Sequence, residues 1–321
     1  MQYTMLLWPH ANARYQNETF RLARAELQLM LERSGLRFEI DPEPGGMLPS
    51  IRFSAERALS DGEKRLFSGL SLLYGLFEEV PDGALSPVLG RAKPKFGSDL
   101  PGILKYKGKT NELFTELLVN LAYFSGDMPE GPRVLDPLCG KGTTLFVAAN
   151  RGWDAAGADV DRADLREAEN FFKRYLEYHR IKHRVARGSM TLPGKKSAPY
   201  AEFQLDRQSL RFAELDAARV HEAFGRKAFD LIAADLPYGV QHAQGEAPGK
   251  LLERALPGWL QALGIGGAAA VSFNAQTLPA ARVRTLFQQA GFQVMEGGPY
   301  DALSHWVEQA VTRDIVVGVR K

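Results

Sequence analysis

The stretch that decides the fold runs from Asp136 to Thr144 and reads Asp136-Pro137-Leu138-Cys139-Gly140-Lys141-Gly142-Thr143-Thr144. It follows a short apolar run at residues 133–135 and leads into an apolar segment with the composition of a helix. A strand, a glycine turn and a helix N-terminus together make a ligand pocket at the carboxyl edge of a parallel sheet. Glycines in such a turn let the backbone approach the ligand closely. The stretch therefore predicts a ligand-binding α/β domain.

Apolar segments of strand length alternate with amphipathic helical segments from about residue 110 to the end of the chain. The strands are predicted at residues 133–135, 155–158, 202–205, 229–233, 268–273, 292–295 and 314–319, and the helices at 110–124, 164–179, 251–263 and 279–290. Alternation of buried strands with helices predicts a parallel, doubly wound sheet. The last two strands have no helix between them, so we expect an antiparallel pair at one edge.

The first ninety residues predict a smaller α/β module. Strands are expected at 3–8, 38–40 and 51–53, with a helix between the first two that Asn17 caps and Gly35 ends. Ser60 and Glu63 fit a capping box, and the apolar positions from Leu66 to Phe77 recur at helical spacing behind it. We divide the chain into an N-terminal module (1–90), a basic linker (91–109) and a C-terminal domain (110–321).

Composition excludes several protein classes. The chain has 321 residues with 45% hydrophobic residues, which is typical of a soluble globular protein. Lys and Arg number 40 against 38 Asp and Glu, so the protein is not a strongly basic nucleic-acid-binding tail. The single cysteine, Cys139, excludes an intrachain disulfide and a cysteine-rich zinc site. The N-terminus resembles neither a signal peptide nor a membrane span, and we expect a cytoplasmic protein.

Three interpretations of the glycine turn compete. A phosphate-binding loop of the ATPase type needs Ser or Thr directly after its lysine, but Gly142 follows Lys141. A dinucleotide fingerprint needs a third glycine where this chain has Leu145. S-adenosylmethionine (SAM) has no phosphates and carries an ammonium group that Asp136 could help to hold. Asp159, at the end of the second predicted strand, is placed to accept both ribose hydroxyls.

A second motif follows the strand predicted at 229–233. It reads Asp235-Leu236-Pro237-Tyr238-Gly239, which taken alone is an ordinary turn. We expect this strand to lie beside the first one, across the point where the strand order reverses. The turn would then open into the same crevice as the glycine turn.

The two motifs together resemble those of a known family. Residues 136–144 are similar to the SAM loop of Rossmann-like amino-methyltransferases, and residues 235–238 resemble their (Asn/Asp)-(Pro/Leu)-Pro-(Tyr/Phe) signature. Asp in first place, Leu in second and a following Gly are most like the RNA guanine-N2 methyltransferases that often carry a THUMP domain. The resemblance covers about residues 97–321, and the ninety residues before the linker are too few for a full THUMP domain with its usual companion.

The resemblance implies a seven-stranded Rossmann-like methyltransferase sheet, SAM as cofactor and a defined set of site residues. The residues expected to act on the target amine are Asp235, Pro237 and Tyr238. Those expected to bind SAM are Asp136, Pro137, Cys139, Gly140, Gly142, Thr143, Thr144, Asp159, Asp206, Lys109 and Thr110. In this set Asp206 ends the third predicted strand and would meet the adenine, while Lys109 and Thr110 belong to a methionine-contacting segment at 107–111.

Positive charge is concentrated in two segments, at 91–109 and 173–196. Both flank the predicted pocket, so we expect them to contact the nucleic-acid backbone. The residues predicted to do so are Lys105, Lys107, Arg184, Arg187, Lys195 and Lys196. His179 and His183 have a metal-like spacing, but the glutamate of a zinc-protease motif is missing and no metal is expected.

The predicted activity is SAM-dependent methylation of an exocyclic amine of a nucleobase, with guanine N2 in tRNA or rRNA as the main hypothesis. A DNA adenine-N6 or cytosine-N4 methyltransferase is the first alternative, although no DNA-reading module is evident. A protein glutamine methyltransferase and a silent SAM- or RNA-binding subunit are the others. The sequence does not specify an oligomeric state.

Overall fold

A computed structural model gives the fold and describes residues 1–9, 13–45, 48–104, 111–194, 196–237 and 246–321. The chain forms two compact units. The first unit comprises Met1–Lys93 and Glu296–Asp314, and the second comprises Pro94–Met295 and Ile315–Lys321.

The first unit is built around an antiparallel sheet with the strand order β2-β3-β1-β4-β5. Its elements up to residue 93 are β1 (Gln2–Leu7), α1 (Ala13–Ser34), β2 (Phe38–Ile40), β3 (Ser50–Ala55), α2 (Asp61–Ser68), β4 (Leu73–Glu79) and β5 (Leu85–Gly90). The α/β character predicted for this module is therefore observed, and β5 ends at Gly90, directly before the predicted linker.

Two local predictions in the first unit have different outcomes. Gly35 ends α1 with a φ of 69°, a left-handed conformation that glycine adopts without strain. Asn17 does not cap that helix, because α1 already begins at Ala13 and Asn17 lies inside it. The apolar spacing located the helix correctly, but the residues before Asn17 carry the helix one turn further.

The helix predicted through Leu73 and Phe77 is wrong. Ser60 and Glu63 do form the expected capping box, but α2 ends at Ser68 and residues 73–79 form β4 between β1 and β5. A short apolar run fits a helical and a strand pattern equally well, and pairing with two neighbouring strands decides the outcome here.

The second unit contains the large sheet, with the strand order β13-β15-β12-β11-β6-β7-β10-β9-β8. Its elements, together with those of the returning segment, are α3 (Leu100–Ile103), α4 (Glu112–Ser125), β6 (Val134–Asp136), α5 (Thr143–Asn150), β7 (Ala155–Asp159), α6 (Arg162–Tyr178), β8 (Arg184–Leu192), β9 (Lys196–Leu205), β10 (Gln208–Glu214), α7 (Val220–Phe224), β11 (Phe229–Asp235), α8 (Pro248–Ala262), β12 (Leu263–Asn274), α9 (Ala280–Ala290), β13 (Gln293–Val294), β14 (His305–Glu308) and β15 (Val311–Val319).

The centre of this sheet is parallel and its edges are antiparallel. Strands β10, β7, β6, β11 and β12 run parallel to one another, and β13 pairs antiparallel with β15 at one edge. The chain builds outward from β6 to β7 and β10 on one side, and then to β11 and β12 on the other. The predicted Rossmann-like sheet is confirmed, and its strand order reverses between β6 and β11, where ligands bind in open α/β sheets. The described sheet has ten strands rather than the predicted seven, because β8, β10 and β14 were not predicted.

The third parallel strand is not the predicted one, so the assignment of Asp206 is wrong. Residues 202–205 end β9, which is antiparallel, and a tight turn at Asp206 leads into β10. Gln208 pairs with Leu205 across that turn, and Asp206 has a φ of 27°. Asp206 therefore lies at the amino end of β10, on the edge of the sheet opposite the crevice.

The segment Glu296–Asp314 belongs to the first unit, whereas the sequence-based division assigned it to the C-terminal domain. It contains a 3-10 helix (Gly298–Ala302) and β14, and both pack against α1. The guanidinium of Arg21 on α1 donates a hydrogen bond to the carbonyl of Ser304 at 2.5 Å. Such long-range packing leaves no local pattern in the sequence.

The capping box of α2 predicts a pH-dependent contribution to stability. Hydrogen bonds from Arg57 lower the pKa of Glu63 from 4.5 to about 2, so its contribution is present above pH 4.5 and is lost as the pH falls towards 2. We expect Glu63→Gln to lower the free energy of unfolding at pH 7 by about 1–2 kcal/mol, in the range of lost helix caps. Urea unfolding at pH 7 and pH 3 should show this difference shrinking at the lower pH.

The matched control is Ser60→Ala, which removes the other half of the box without removing a titratable group. Its cost of about 1 kcal/mol should change less with pH, because the Ser60 side chain is a smaller cause of the lowered Glu63 pKa than Arg57. A Glu63→Gln deficit that is equally large at pH 3 would contradict the assignment.

Candidate functional site

The carboxyl ends of the parallel strands bring polar side chains to one edge of the large sheet. β6 ends at Asp136, β7 at Asp159, β11 at Asp235 and β12 at Asn274, and Asp216 follows β10 after one residue. Parallel register places these ends side by side, since Asp136 pairs with Gly157 and Glu214 with Asp159. The two motifs quoted from the sequence thus open at the same edge, on either side of the reversal point.

Backbone hydrogen bonds hold the glycine loop against the second strand. The Cys139 N–H donates to the Ala158 carbonyl at 3.0 Å, and the Gly140 N–H donates to the Asp159 carboxylate at 2.8 Å. Gly142 then caps α5 with a φ of 84°. A Cβ at Gly142 would also lie 2.9 Å from the Phe212 ring, so this position needs glycine for both reasons.

The loop lies so close to β7 that one strand residue has room only for hydrogen. A Cβ on Gly157 would lie 2.6 Å from the sulfur of Cys139 and 2.9 Å from a methyl group of Leu145. Cys139 is buried, and burial raises the pKa of its thiol well above the ordinary value. Its structural environment supports packing rather than thiol chemistry.

Asp159 links the loop and the second strand through both carboxylate oxygens. One oxygen accepts the Gly140 N–H and the other accepts the Asp161 N–H at 2.9 Å. Burial is the largest cause of the raised pKa of this carboxyl. A carboxylate has about four acceptor sites, so both oxygens keep capacity for hydroxyl donors. Asp161 caps α6 by accepting hydrogen bonds from the Ala163 and Asp164 N–H groups.

Asp136 is a buried carboxyl beside two others. Burial raises its pKa to about 7, and the neighbouring charges of Asp159 and Asp235 act in the same direction. Hydrogen bonds from the Thr144 side chain and the Leu138 N–H oppose this shift. The crevice therefore carries concentrated negative potential, which favours a cationic ligand and disfavours a phosphate.

Asp235 ends β11 next to Ser272 of β12. The Leu236 N–H donates to the Ser272 carbonyl at 2.9 Å, which fixes the start of the Asp-Leu-Pro turn. The Ser272 hydroxyl is fully buried and finds no hydrogen-bond partner among the residues that the structure describes. Pro237 is the last described residue of this motif, and Tyr238 lies outside the described residues.

Lys141, the only cation within the glycine loop, is engaged by α6. Its ammonium lies 2.5 Å from Glu167 and 3.7 Å from Asp164. The pairing of Lys141 with these carboxylates agrees with the rejection of an ATPase-type loop on the sequence.

Asp216 is the site residue that sequence reasoning missed. It follows the true third strand, and its carboxylate accepts from the Ala218 N–H at 2.8 Å and from the Arg254 guanidinium at 2.7 Å. A signal was present in the sequence, because residues 209–212 alternate in polarity behind the Asp206 turn. It was overlooked because residues 202–205 also form a strand.

The long β8–β9 hairpin extends past the end of β10. Tyr200 pairs with Ala213 near the end of β10, so the hairpin residues before Tyr200 continue beyond it at the crevice edge. There Arg219 donates to the carbonyl of Pro193 at 3.0 Å.

Some of the residues predicted to contact nucleic acid lie on the hairpin, and the others lie outside the described residues. Arg184 and Arg187 are exposed on the edge strand β8, and Arg187 also pairs with Glu169 at 3.0 Å. Lys196 begins β9. Five further predicted site residues lie outside the described residues: Lys105, Lys107, Lys109, Thr110 and Lys195.

The described part of the chain contains neither a metal-binding cluster nor a membrane-spanning helix. Within it, no cluster of His, Cys, Asp and Glu side chains is arranged to hold a metal ion. No helix in the described ranges has the length and apolar character needed to cross a bilayer.

The pKa of Asp136 predicts how stability changes with pH. Its folded value of about 7 exceeds the ordinary 3.8, so the stability it contributes is complete below pH 3.8 and is lost as the pH rises through 7. Asp136→Asn keeps one acceptor oxygen and does not titrate. We therefore expect its melting temperature minus that of the wild type to increase from pH 5 to pH 8. Calorimetric melting across this range measures the difference. A constant difference would show that Asp136 does not titrate there.

Comparison with known proteins gives structural likeness only. No protein-family model matches the chain, and no curated protein matches it. Among solved structures, TrmN from Thermus thermophilus is 17% identical with a TM-score of 0.48, covering 100% of both chains. Magnesium protoporphyrin IX methyltransferase from Synechocystis, solved with bound SAM, is 16% identical with a TM-score of 0.43 over 67% of this chain and 87% of that one. Precorrin-6y C5,15-methyltransferase from Geobacter metallireducens is 11% identical with a TM-score of 0.44, over 72% and 100%. The fold assignment therefore stands on the strand order of the large sheet.

Proposed function

We propose that the protein is a SAM-dependent methyltransferase that modifies an exocyclic amine of a nucleobase, with guanine N2 in tRNA or rRNA as the target. One observation carries the proposal. The glycine loop with its carboxylates and the Asp-Leu-Pro turn lie at the ends of adjacent strands β6 and β11, where the strand order reverses.

The electrostatics of the crevice fit SAM. Burial raises the pKa of Asp136, and the charges of Asp159 and Asp235 raise it further. Lys141 pairs with Glu167 and does not offset these charges. A positively charged ligand would offset this repulsion, whereas a pyrophosphate would increase it. SAM supplies an electrophilic methyl group on a sulfonium, which is already a good leaving group.

Three parts of the chain would hold SAM. The glycine loop lets the ligand approach the backbone, and Asp136 would balance the ammonium of the methionine end. Asp159 would accept the ribose hydroxyls with its remaining lone pairs. Asp216, just after the third parallel strand, would lie next to the adenine, in the role that was predicted for Asp206.

Asp235 and the turn after it would act on the target amine. The lone pair of an exocyclic amine is delocalised into the ring, so the nitrogen is a poor nucleophile. Acceptors that bind its hydrogens draw it towards tetrahedral geometry, and the Asp235 carboxylate with a main-chain carbonyl at Leu236 or Pro237 would provide them. The role of Tyr238, stacking on the base, remains a prediction. Alignment of nitrogen, methyl carbon and sulfur supplies much of the rate enhancement.

The charge distribution supports RNA as the partner. Arg184 lies away from the crevice, because it pairs with Gln204, which is level with Ser209 near the amino end of β10. Arg187 is exposed further along β8, and Lys196 begins β9 beyond the end of β10, at the crevice edge. Cations there would hold a phosphate backbone while the target base, extruded from its stack, enters the crevice. Mass analysis of nucleosides from host RNA and DNA, with and without the gene, tests this proposal. Loss of N2-methylguanosine supports it, and loss of a methylated DNA base would favour the alternative.

Asp235 should affect transfer much more than binding. We expect Asp235→Ala to reduce single-turnover methylation by ~10²-fold or more, the scale of losing one well-placed electrostatic group. Asp235→Asn keeps an acceptor oxygen and should retain partial activity. Calorimetry should show nearly unchanged SAM affinity in both variants. A normal single-turnover rate in Asp235→Ala would remove Asp235 from the reaction.

Asp159 and Asp216 should affect SAM binding, and Asp206 should not. Loss of charge-assisted hydrogen bonds predicts that Asp159→Ala weakens SAM binding by about 1.5–3 kcal/mol. Asp216→Ala should weaken it by a smaller amount, because one acceptor to a neutral amine is lost. Asp206→Ala is the matched control at the opposite edge of the sheet. If Asp206→Ala weakened binding as much as Asp216→Ala, the strand assignment would be contradicted.

A further inference from the structure

Two aromatic side chains are exposed together on the first unit. Trp8 follows β1, and Tyr74 is the second residue of β4. The residues directly before them, Leu7 and Leu73, pair across the two strands. Their ring centroids lie 5.1 Å apart with the planes at 85°. Trp8 is 40% exposed and Tyr74 is 55% exposed. Aromatic side chains usually bury their faces, so a paired and exposed arrangement indicates a contact surface.

The loop that supports this pair is anchored from inside the unit. The Trp8 N–H donates to the Leu72 carbonyl at 3.1 Å. One residue earlier, the N–H and hydroxyl of Ser71 donate to the carboxylate of Glu26 on α1, at 3.0 and 2.8 Å. Glu26 is fully buried, and a buried carboxylate is retained only with such partners. The loop is therefore fixed before any ligand binds, which lowers the entropic cost of binding.

Cations lie at the same end of the sheet. Gly75 pairs with Gly90, so Arg91 comes next to Tyr74 along the ladder, and its guanidinium donates to the Ser71 carbonyl at 2.5 Å. Lys93 is exposed two residues further on. The Ala92 N–H donates to the Ser68 carbonyl, which joins this stretch to the last turn of α2, where Arg65 is exposed.

We propose that Trp8 and Tyr74 form a stacking site for unpaired bases of RNA, with Arg91, Lys93 and Arg65 as the cations beside its phosphates. Flat rings next to positive charge match a strand that alternates flat bases with phosphates. The inference rests on the proposed function. It implies that the first unit binds single-stranded nucleotides of the RNA and not the base that is methylated. An apolar peptide would gain nothing from the flanking cations.

The full-length protein is titrated with a fluorescein-labelled, unstructured 12-nucleotide RNA, and anisotropy gives the affinity. Trp8→Leu and Tyr74→Leu keep an apolar side chain but remove the flat face. Each variant should lose at least about fivefold in affinity, on the scale of base–aromatic stacking, and the double variant should lose more. Trp8→Phe and Tyr74→Phe should retain most of the affinity. SAM binding, measured by calorimetry, should be unchanged in all of them, and unfolding profiles like that of the wild type check that the first unit of each variant is folded.

Two controls separate stacking from charge and from general apolar contact. An abasic phosphodiester strand of the same length should bind wild type and the leucine variants equally weakly. Leu48→Ala removes a side chain that is 60% exposed in the same unit and should leave RNA affinity unchanged. RNA affinity that is unchanged in the double leucine variant overturns the proposal, as does an equal loss of affinity for the abasic strand. Binding of an apolar peptide that the leucine variants retain, with RNA affinity unaffected, would reassign the surface.

The outcomes also separate this inference from the proposed function. If wild type binds the RNA through the two rings but methylates no nucleic acid, the proposed function fails and the stacking site stands. If methylation proceeds and the leucine variants bind RNA normally, the stacking site fails alone.

Discussion

The site depends on one hydrogen bond, from the Gly140 N–H to the carboxylate of Asp159. It joins the loop after β6 to the end of β7, and the Cys139 N–H adds a second bond to the same strand. The two segments come so close that Gly157 has room only for hydrogen. The position of the glycine loop is consequently set by its contacts with β7. The carboxylates of Asp136, Asp159 and Asp235 determine the charge of the crevice.

Charge in the crevice is kept in an unfavourable arrangement. Asp136 is buried beside Asp159 and Asp235, and its pKa rises to about 7. Groups with strongly shifted pKa values cluster at functional sites, because a ligand can compensate for them when it binds. The nearest loop cation, Lys141, is held by Glu167 instead of neutralising the carboxylates. In the free protein, the negative charge at the reversal point of the sheet is therefore left for a cationic ligand to compensate.

Sequence reasoning succeeded where structure is local and failed where it is long-range. The glycine loop and the capping box at Ser60 depend on neighbouring residues, and both were predicted. The third parallel strand was misassigned because residues 202–205 and β10 both read as strands, and only pairing with β7 distinguishes them. Asp216 was missed for the same reason. No local signal could show that the chain returns at Glu296 to complete the first unit.

That return affects how the protein is made. The first unit needs Glu296–Asp314, whose 3-10 helix and β14 pack against α1. A ribosome adding about 5–20 residues per second needs about 10–40 s to synthesise the second unit's long segment before it reaches them. During that interval α1 lacks the elements that cover it. The N-terminal part of the chain is thus the first to be synthesised and among the last to be completed, and a product truncated before Glu296 would leave the ribosome with that helix face unprotected.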